Sequence, residues 1–320
     1  LTDGKELPGA SLQVLDSNGT VVDEWISTEE PHMIRGLLVG ETYTMVETKP
    51  ADGYTTAESI EFKVEDTAEV QKHQMLDDVT KVEISKTDVT DSKEIPGAKL
   101  TIPDKDGKVV ESWVSDKDPH MVEKLPVGTY TLREEQAPDG YLVAEEVSFE
   151  VKDTGEIQKV EMKDARPTGK LILKKTDAED GSPLAGAEFE LRIKKSGKVV
   201  ATLVTDEEGV ATSVDIPIAT YKDGKMKKEI EYILVETKAP DGYVRSEKEE
   251  SVVFTYQDDK TKEIEITKEL TNERIPTGGY VKSPKTGDDT NIWLPILLLV
   301  LSVGGIAGIF WYTKKKNHEE

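Results

Sequence analysis

The sequence predicts an all-β protein: three copies of a small antiparallel β-sandwich in tandem, followed by one transmembrane helix. Three observations carry this expectation. The first is self-similarity. Pro8-Gly9-Ala10 recurs as Pro96-Gly97-Ala98 and as Ala185-Gly186-Ala187, and Asp52-Gly53-Tyr54 recurs as Asp139-Gly140-Tyr141 and Asp241-Gly242-Tyr243. The second is period-two alternation of apolar residues between Gly and Asp turns, the pattern of short strands that bury one face. The third is the uncharged run at 290–313. A bilayer-crossing helix needs ~20 apolar residues, and this run supplies them.

The chain has 320 residues, a formal charge of -23 and no cysteine. Gly9 and Gly97 lie 88 residues apart, so each copy has the size of one small domain rather than of a solenoid repeat. The expected division is 1–78, 79–166 and 167–276 for the three sandwiches. A stalk and motif segment at 277–291, a helix at 292–312 and a basic tail at 313–320 follow. The acidity argues against a nucleic-acid partner, which attracts basic surfaces. It fits solvated outer surfaces. Without cysteine no disulfide can staple the copies, so covalent reinforcement must use other chemistry. The chain opens at Leu1 with no signal peptide, although a protein exported in this orientation needs one. It reads as the C-terminal part of a longer precursor.

In order along the chain, Asn18-Gly19 marks a hairpin in copy one, Asp106-Gly107 the same hairpin in copy two and Ser196-Gly197 in copy three. Copy two shows the strands most plainly: Val82 and Ile84, Leu100 and Ile102, Val109 to Trp113, Tyr130 and Leu132, Val147 to Val151, Val160 and Met162. Segments 25–33 and 113–121 share a Trp start and a Pro-His-Met ending. Copy three lacks that segment and has extra residues at 221–228. The linkers at 78–80 and 165–169 are short, the second stiffened by Pro167, which favours a rod over loose beads. His32 and His120 fall in repeat-matched turns, and the four histidines have no metal-ligand spacing. Asp104-Lys105-Asp106-Gly107 reads as a turn rather than a calcium loop. No metal, cofactor, Ser/His/Asp constellation or phosphate loop is expected, so the chain is not read as an enzyme.

The most informative charged residues are those in phase with apolar faces, because side chains two apart on a strand point the same way. Lys86 extends the face of Val82 and Ile84, Glu134 that of Tyr130 and Leu132, and Asp164 that of Val160 and Met162. For any single residue, a strand end meeting solvent would give the same phase. The recurrence favours an inward role. Lys175 follows Leu171 and Leu173, Glu236 follows Tyr232 and Leu234, and Asn272 follows Leu270 with Lys268 interrupting. Copy one keeps Glu47 after Tyr43 and Met45, and Asp77 after Met75. Buried charges are costly unless they meet and neutralise each other.

The segment at 232–243, with looser versions around Glu47 and Glu134, resembles the glutamate-bearing box of Cna B-type, SpaA-like pilin domains. Lys86-Thr87-Asp88 and Lys175-Thr176-Asp177 resemble their first strand. The resemblance covers nearly all of 1–279 and implies tandem Ig-like β-sandwiches. In that family a lysine amine and an Asn or Asp side chain form an intramolecular isopeptide bond, assisted by the glutamic acid. Matched by motif, the implied triads are Lys86, Glu134, Asp164 and Lys175, Glu236, Asn272. Copy one shows Glu47 and Asp77. Its lysine would lie eleven positions before Gly9, as Lys86 lies before Gly97, and so upstream of Leu1. The first strand of copy one is therefore expected to be absent from this sequence, leaving that site incomplete.

Ser283-Pro284-Lys285-Thr286-Gly287, the apolar span with Trp293 and Trp311-Tyr312 near its ends, and Lys314-Lys315-Lys316 follow one another in the order of a Gram-positive cell-wall sorting signal. The family's motif is Leu-Pro-x-Thr-Gly (LPxTG). Ser283 stands at the leucine position, which leaves the sortase class open. This resemblance implies cleavage between Thr286 and Gly287 by sortase and attachment of Thr286 to peptidoglycan or to another pilin subunit. It also implies membrane insertion before cleavage and a final location in the extracellular cell wall. The expected function is the stalk and wall anchor of a pilin or adhesin, with any host or bacterial surface ligand bound by a region upstream. A spacer for a wall-bound enzyme with its catalytic domain upstream is the alternative.

Overall fold

A computed structural model describes residues 5–276, and these are all β-strand, turn and loop. The expected sorting motif at 283–287, the expected transmembrane span at 292–312 and the expected basic tail lie outside the described residues. Copy one contributes β1 (Ser11–Leu15), β2 (Val21–Ile26), β3 (Thr42–Lys49) and β4 (Ile60–Lys63), which form one antiparallel sheet in the order β2-β1-β3-β4. The β1–β2 hairpin closes where expected. Asp16 Oδ1 accepts the N–H groups of Asn18 (2.9 Å) and Thr20 (2.8 Å), and Gly19 takes φ 77°, which a side chain would disfavour.

Copy two repeats that sheet and adds a second. Its strands are β5 (Lys81–Asp88), β6 (Lys99–Pro103), β7 (Val109–Val114), β8 (His120–Glu123), β9 (Gly128–Gln136), β10 (Val147–Val151) and β11 (Ile157–Asp164). One sheet runs β10-β9-β6-β7 and the other β11-β5-β8. The core lies between them. Val82, Ile84, Val122 and Met162 face Leu100, Ile102, Leu132 and Val151, all almost fully buried. Truncating one of these large side chains to Ala would cost about 2–5 kcal/mol.

Copy three comprises β12 (Thr168–Asp177), β13 (Glu188–Ile193), β14 (Val199–Val204), β15 (Val210–Thr212), β16 (Ile216–Pro217), β17 (Ala219–Lys222), β18 (Lys225–Glu229), β19 (Glu231–Lys238), β20 (Glu250–Val253) and β21 (Glu263–Asn272). The sheet β14-β13-β19-β20 faces one built on β12, which pairs with β15, β16 and β21. The extra residues at 221–228 fall in the β17–β18 hairpin.

Three findings depart from the sequence reading. The sheets are antiparallel except that the first and last strands pair in parallel, β5 with β11 and β12 with β21. Alternation fixes which face is buried but not strand direction. His120 begins strand β8 rather than lying in a turn, and it stacks on Trp113 at 4.4 Å. Four residues are too short for periodicity to register. The segment of copy one that carries Met75 and Asp77 reads as a last strand but forms none. In copies two and three that strand pairs only with the first, and copy one has no such strand among the described residues.

Candidate functional site

The parallel pairing sets the geometry of the charged residues. Lys86 lies opposite Met162, and Asp164 opposite Asp88. Asp164 is two residues beyond Met162 on the same face, so Lys86 and Asp164 project side by side into the core. Glu134 enters from β9 in the facing sheet. Lys86 Nζ lies 3.2 Å from Glu134 Oε2 and makes direct contact with Asp164 Oδ1. The three side chains are 0–1 % exposed. Glu134 Oε2 also accepts the Ala144 N–H (2.7 Å), while Glu134 Oε1 and Asp164 Oδ2 are buried without a hydrogen-bond partner. One ammonium and two carboxyls in such a core balance only if a carboxyl keeps its proton. Burial pushes Asp164 up to about 7; Lys86 opposes the rise and Glu134 adds to it.

Copy three repeats the cage with an amide in place of one acid. Lys175 and Asn272 come from β12 and β21, Glu236 from β19, and all are buried. Lys175 Nζ donates to Thr271 O (2.9 Å) and stands 3.5 Å from Glu236 Oε1. Asn272 Nδ2 donates to both Glu236 oxygens (3.1 and 3.2 Å) and to Val244 O (2.9 Å), leaving Oδ1 buried without a partner. Ser246 N–H holds Glu236 Oε2 at 2.6 Å. Burial pulls the Lys175 ammonium below its ordinary pKa, against the pull of Glu236. A cleft of about 520 Å³ opens beside this cage, lined by Lys175, Glu236, Lys248, Glu250, Lys268 and Leu270 among others. Lys268, the interruption in the strand pattern, faces it. Copy two has Val160 and Val147 at the positions of Lys268 and Glu250, and both pack on the core there.

Copy one brings together Glu47 and Asp77. Glu47 Oε2 accepts the Ala57 N–H at 2.6 Å, the same bond that Glu134 and Glu236 make. Burial raises Glu47 to about 7 against the Ala57 bond, with Asp77 adding to the rise, and burial also raises Asp77.

A second constellation, not read from the sequence, joins the same two strands just beyond each cage. In copy two, Asp88 Oδ2 accepts from the Tyr141 hydroxyl (2.8 Å) and from Arg166 Nε (2.7 Å). In copy three, Asp177 Oδ2 accepts from Tyr243 (2.7 Å) and Arg274 Nε (2.6 Å). Although burial opposes it, bonds from Thr90, Tyr141 and Arg166 hold Asp88 below the usual carboxylate range. The signal was present. The aspartate of Lys-Thr-Asp and the tyrosine of Asp-Gly-Tyr both recur, and an arginine follows Asp164 and Asn272 by two positions.

The described residues agree with what comparison with known proteins finds. A solved structure, the Bacillus anthracis TIE protein, is 28 % identical with a TM-score of 0.51 over 85 % of this chain, which spans 49 % of that structure. BcpA, the major pilin subunit of Bacillus cereus, is 17 % identical (TM-score 0.42; 86 % of this chain, 97 % of that one). GBS52, the minor pilin of Streptococcus agalactiae, is also 17 % identical (TM-score 0.29; 62 % and 98 %). No curated protein matches the chain significantly. The profile of the SpaA prealbumin-like fold domain matches three times, at residues 1–78, 80–166 and 169–270, and the chain belongs to that family.

Proposed function

We propose that this chain is the stalk and wall-anchoring region of a sortase-attached surface protein, a pilin or an adhesin. Its three domains divide at 78 and 166, and self-made isopeptide bonds stiffen the second and third. The observation that carries the reading is the buried lysine cage, found twice at the junction of the first and last strands. An ammonium sealed against a glutamic acid and an Asp or Asn side chain is costly as an ion pair. As reactants in contact, the same groups are well placed.

In copy two, Lys86 passes a proton to Glu134 and its neutral amine attacks Asp164 Cγ. An N–C bond forms, a C–O bond breaks, Glu134 returns a proton to the departing water, and it then takes the second proton from the nitrogen that becomes the amide. Asp164 reacts as the protonated acid, which its raised pKa favours. In copy three the same sequence at Asn272 breaks a C–N bond and releases ammonia. The amide must first turn so that its unpaired Oδ1 meets the proton on Glu236. Each event occurs once per copy, so this is maturation rather than turnover.

The mechanical logic follows from topology. Each bond would tie the first strand to the last, so tension entering at one and leaving at the other bypasses the strands between them. At the C-terminus, Thr286 and Gly287 are the proposed sortase cleavage pair, with Ser283, Pro284 and Lys285 completing the motif. The apolar span holds the precursor in the membrane, and Thr286 passes to peptidoglycan or a pilin subunit. Single-molecule stretching tests the stalk role. Copies two and three should add no unfolding length, whereas Glu134→Ala should let copy two extend. Full extension of both wild-type copies would refute the reading.

A further inference from the structure

We infer that Tyr221 of copy three is a positioning residue for cross-linking in copy two; this rests on the isopeptide reading above. Lys86 and Asp164 sit within the last three residue pairs of the β5–β11 ladder, which ends at Asp164 opposite Asp88. Strand ends open most readily. Opening here would separate the amine from its target. The Asp88–Arg166 pair is the clasp across that end, since each partner lies two residues beyond a reacting residue.

An exposed clasp of this kind would hold little. Here it is covered by the next copy. The Arg166 guanidinium lies 4.1 Å from the Tyr221 ring centroid, and the same ring meets Tyr141 edge-on at 5.2 Å. Arg166 is 23 % exposed, whereas Arg274, its counterpart in copy three, is 49 % exposed. A ring over a guanidinium in a partly dry site strengthens the pair and keeps the arginine from turning out to water.

The sequence explains why the ring comes from copy three. In copies one and three, the backbone N–H three residues past the cage's Asp or Asn bonds back to the glycine of Asp-Gly-Tyr: Thr80 to Gly53 O (3.1 Å) and Ile275 to Gly242 O (2.8 Å). Copy two has Pro167 at that position, with no N–H to give. The Tyr221 hydroxyl bonds to Gly140 O in its place. The β17–β18 hairpin that carries Tyr221 also presses on the segment holding the Lys86 backbone. Ile95 N–H donates to Lys86 O (2.7 Å), and Glu94 Oε2 accepts the Lys86 N–H (3.0 Å). A side chain at Gly224 would collide with the Glu94 carbonyl and Pro96. Copy two's reacting strand is thus braced at both its clasp and its flank by an element that copies one and two do not possess.

The test uses the full chain made by cell-free synthesis, quenched in acid at intervals and followed by peptide mass mapping. Water loss in copy two and ammonia loss in copy three are read in the same molecules. Tyr221→Ala should slow the water loss about tenfold, in line with the cost of small displacements at reacting atoms, and leave the ammonia loss unchanged. Tyr221→Phe, which keeps the ring over Arg166, should stay within about twofold of wild type. An unchanged copy-two rate in Tyr221→Ala overturns the inference. So does equal slowing in both copies, which would mean general damage to the fold, or a Tyr221→Phe rate as low as that of Tyr221→Ala. If wild-type copy two loses no water at all, the cross-linking reading itself fails.

Discussion

Copies two and three place the same three side chains at the same junction, yet they balance and close the site differently. Copy two has two acids around its lysine and apolar Val147 and Val160 packed nearby. Copy three has one acid, one amide and a polar cleft bordered by Lys268 and Glu250. The first needs a shared proton to be neutral; the second is neutral with lysine and glutamate both ionised. What the two sites share is the junction set by parallel pairing of first and last strands, not the charge of the Asp or Asn beside the lysine.

The largest expected effect comes from removing the assisting acid. Glu134→Ala should leave copy two unlinked and copy three linked, and Glu236→Ala the reverse. A cross-link closing a loop of this length is worth roughly 4–5 kcal/mol by chain entropy, and the variant also strands a buried lysine. Urea unfolding followed by hydrogen exchange in each copy would show that copy's midpoint collapse while the other holds. Loss in both copies would break the comparison by showing that the cores are not independent.

The next effect is on pH. Copy two's reaction needs the carboxyl proton that Asp164 holds up to about 7. Its rate should be flat below that value and fall about tenfold per pH unit above it. Copy three has no carboxyl target, and its rate should not fall over the same range. Timed mass mapping in buffers on either side of neutrality checks both at once.

Copy one sharpens the contrast, because Glu47 and Asp77 meet there as two carboxyls and its described strands form one sheet rather than two. Residues 5–77 should be the first part cut in limited proteolysis. Their stability should also depend on pH. Folded Glu47 holds its proton to about 7, against an ordinary value of 4.5. The folded state therefore binds more protons between those values, and stability falls as pH rises from 4.5 to about 7 and then levels off. Glu47→Gln should reduce that slope in hydrogen-exchange protection to the part that Asp77, also raised by burial, contributes. An unchanged slope would place the titration elsewhere. The smallest effect is expected from Lys268→Val, which copies the Val160 of copy two. By drying the cleft it should raise copy three's cross-linking rate about twofold to threefold, since burial favours the neutral amine.

Much of this was legible in the sequence. Strand phase, together with its recurrence across the copies, put Lys86, Glu134 and Asp164 on buried faces, because an alternating pattern specifies which side chains share a face. The repeats showed that Lys175, Glu236 and Asn272 occupy equivalent places. What the pattern could not supply was strand direction, since parallel and antiparallel strands alternate alike. The side-by-side placement of Lys86 and Asp164 therefore emerged only with the β5–β11 register. The Asp88–Tyr141–Arg166 clasp was hidden for another reason. Its members flank strands and turns, where polar residues are ordinary, and Tyr221 reaches it from another copy across 55 residues beyond Arg166.

The central claim is that the buried cages are reactants. Intact-mass analysis of the purified chain, followed by fragmentation, tests this most directly. The account predicts a mass lower than the sequence mass by one water and one ammonia, with Lys86-bearing peptides joined to Asp164 and Lys175-bearing peptides joined to Asn272. A folded chain with the full sequence mass and all four residues recovered on separate peptides would contradict it.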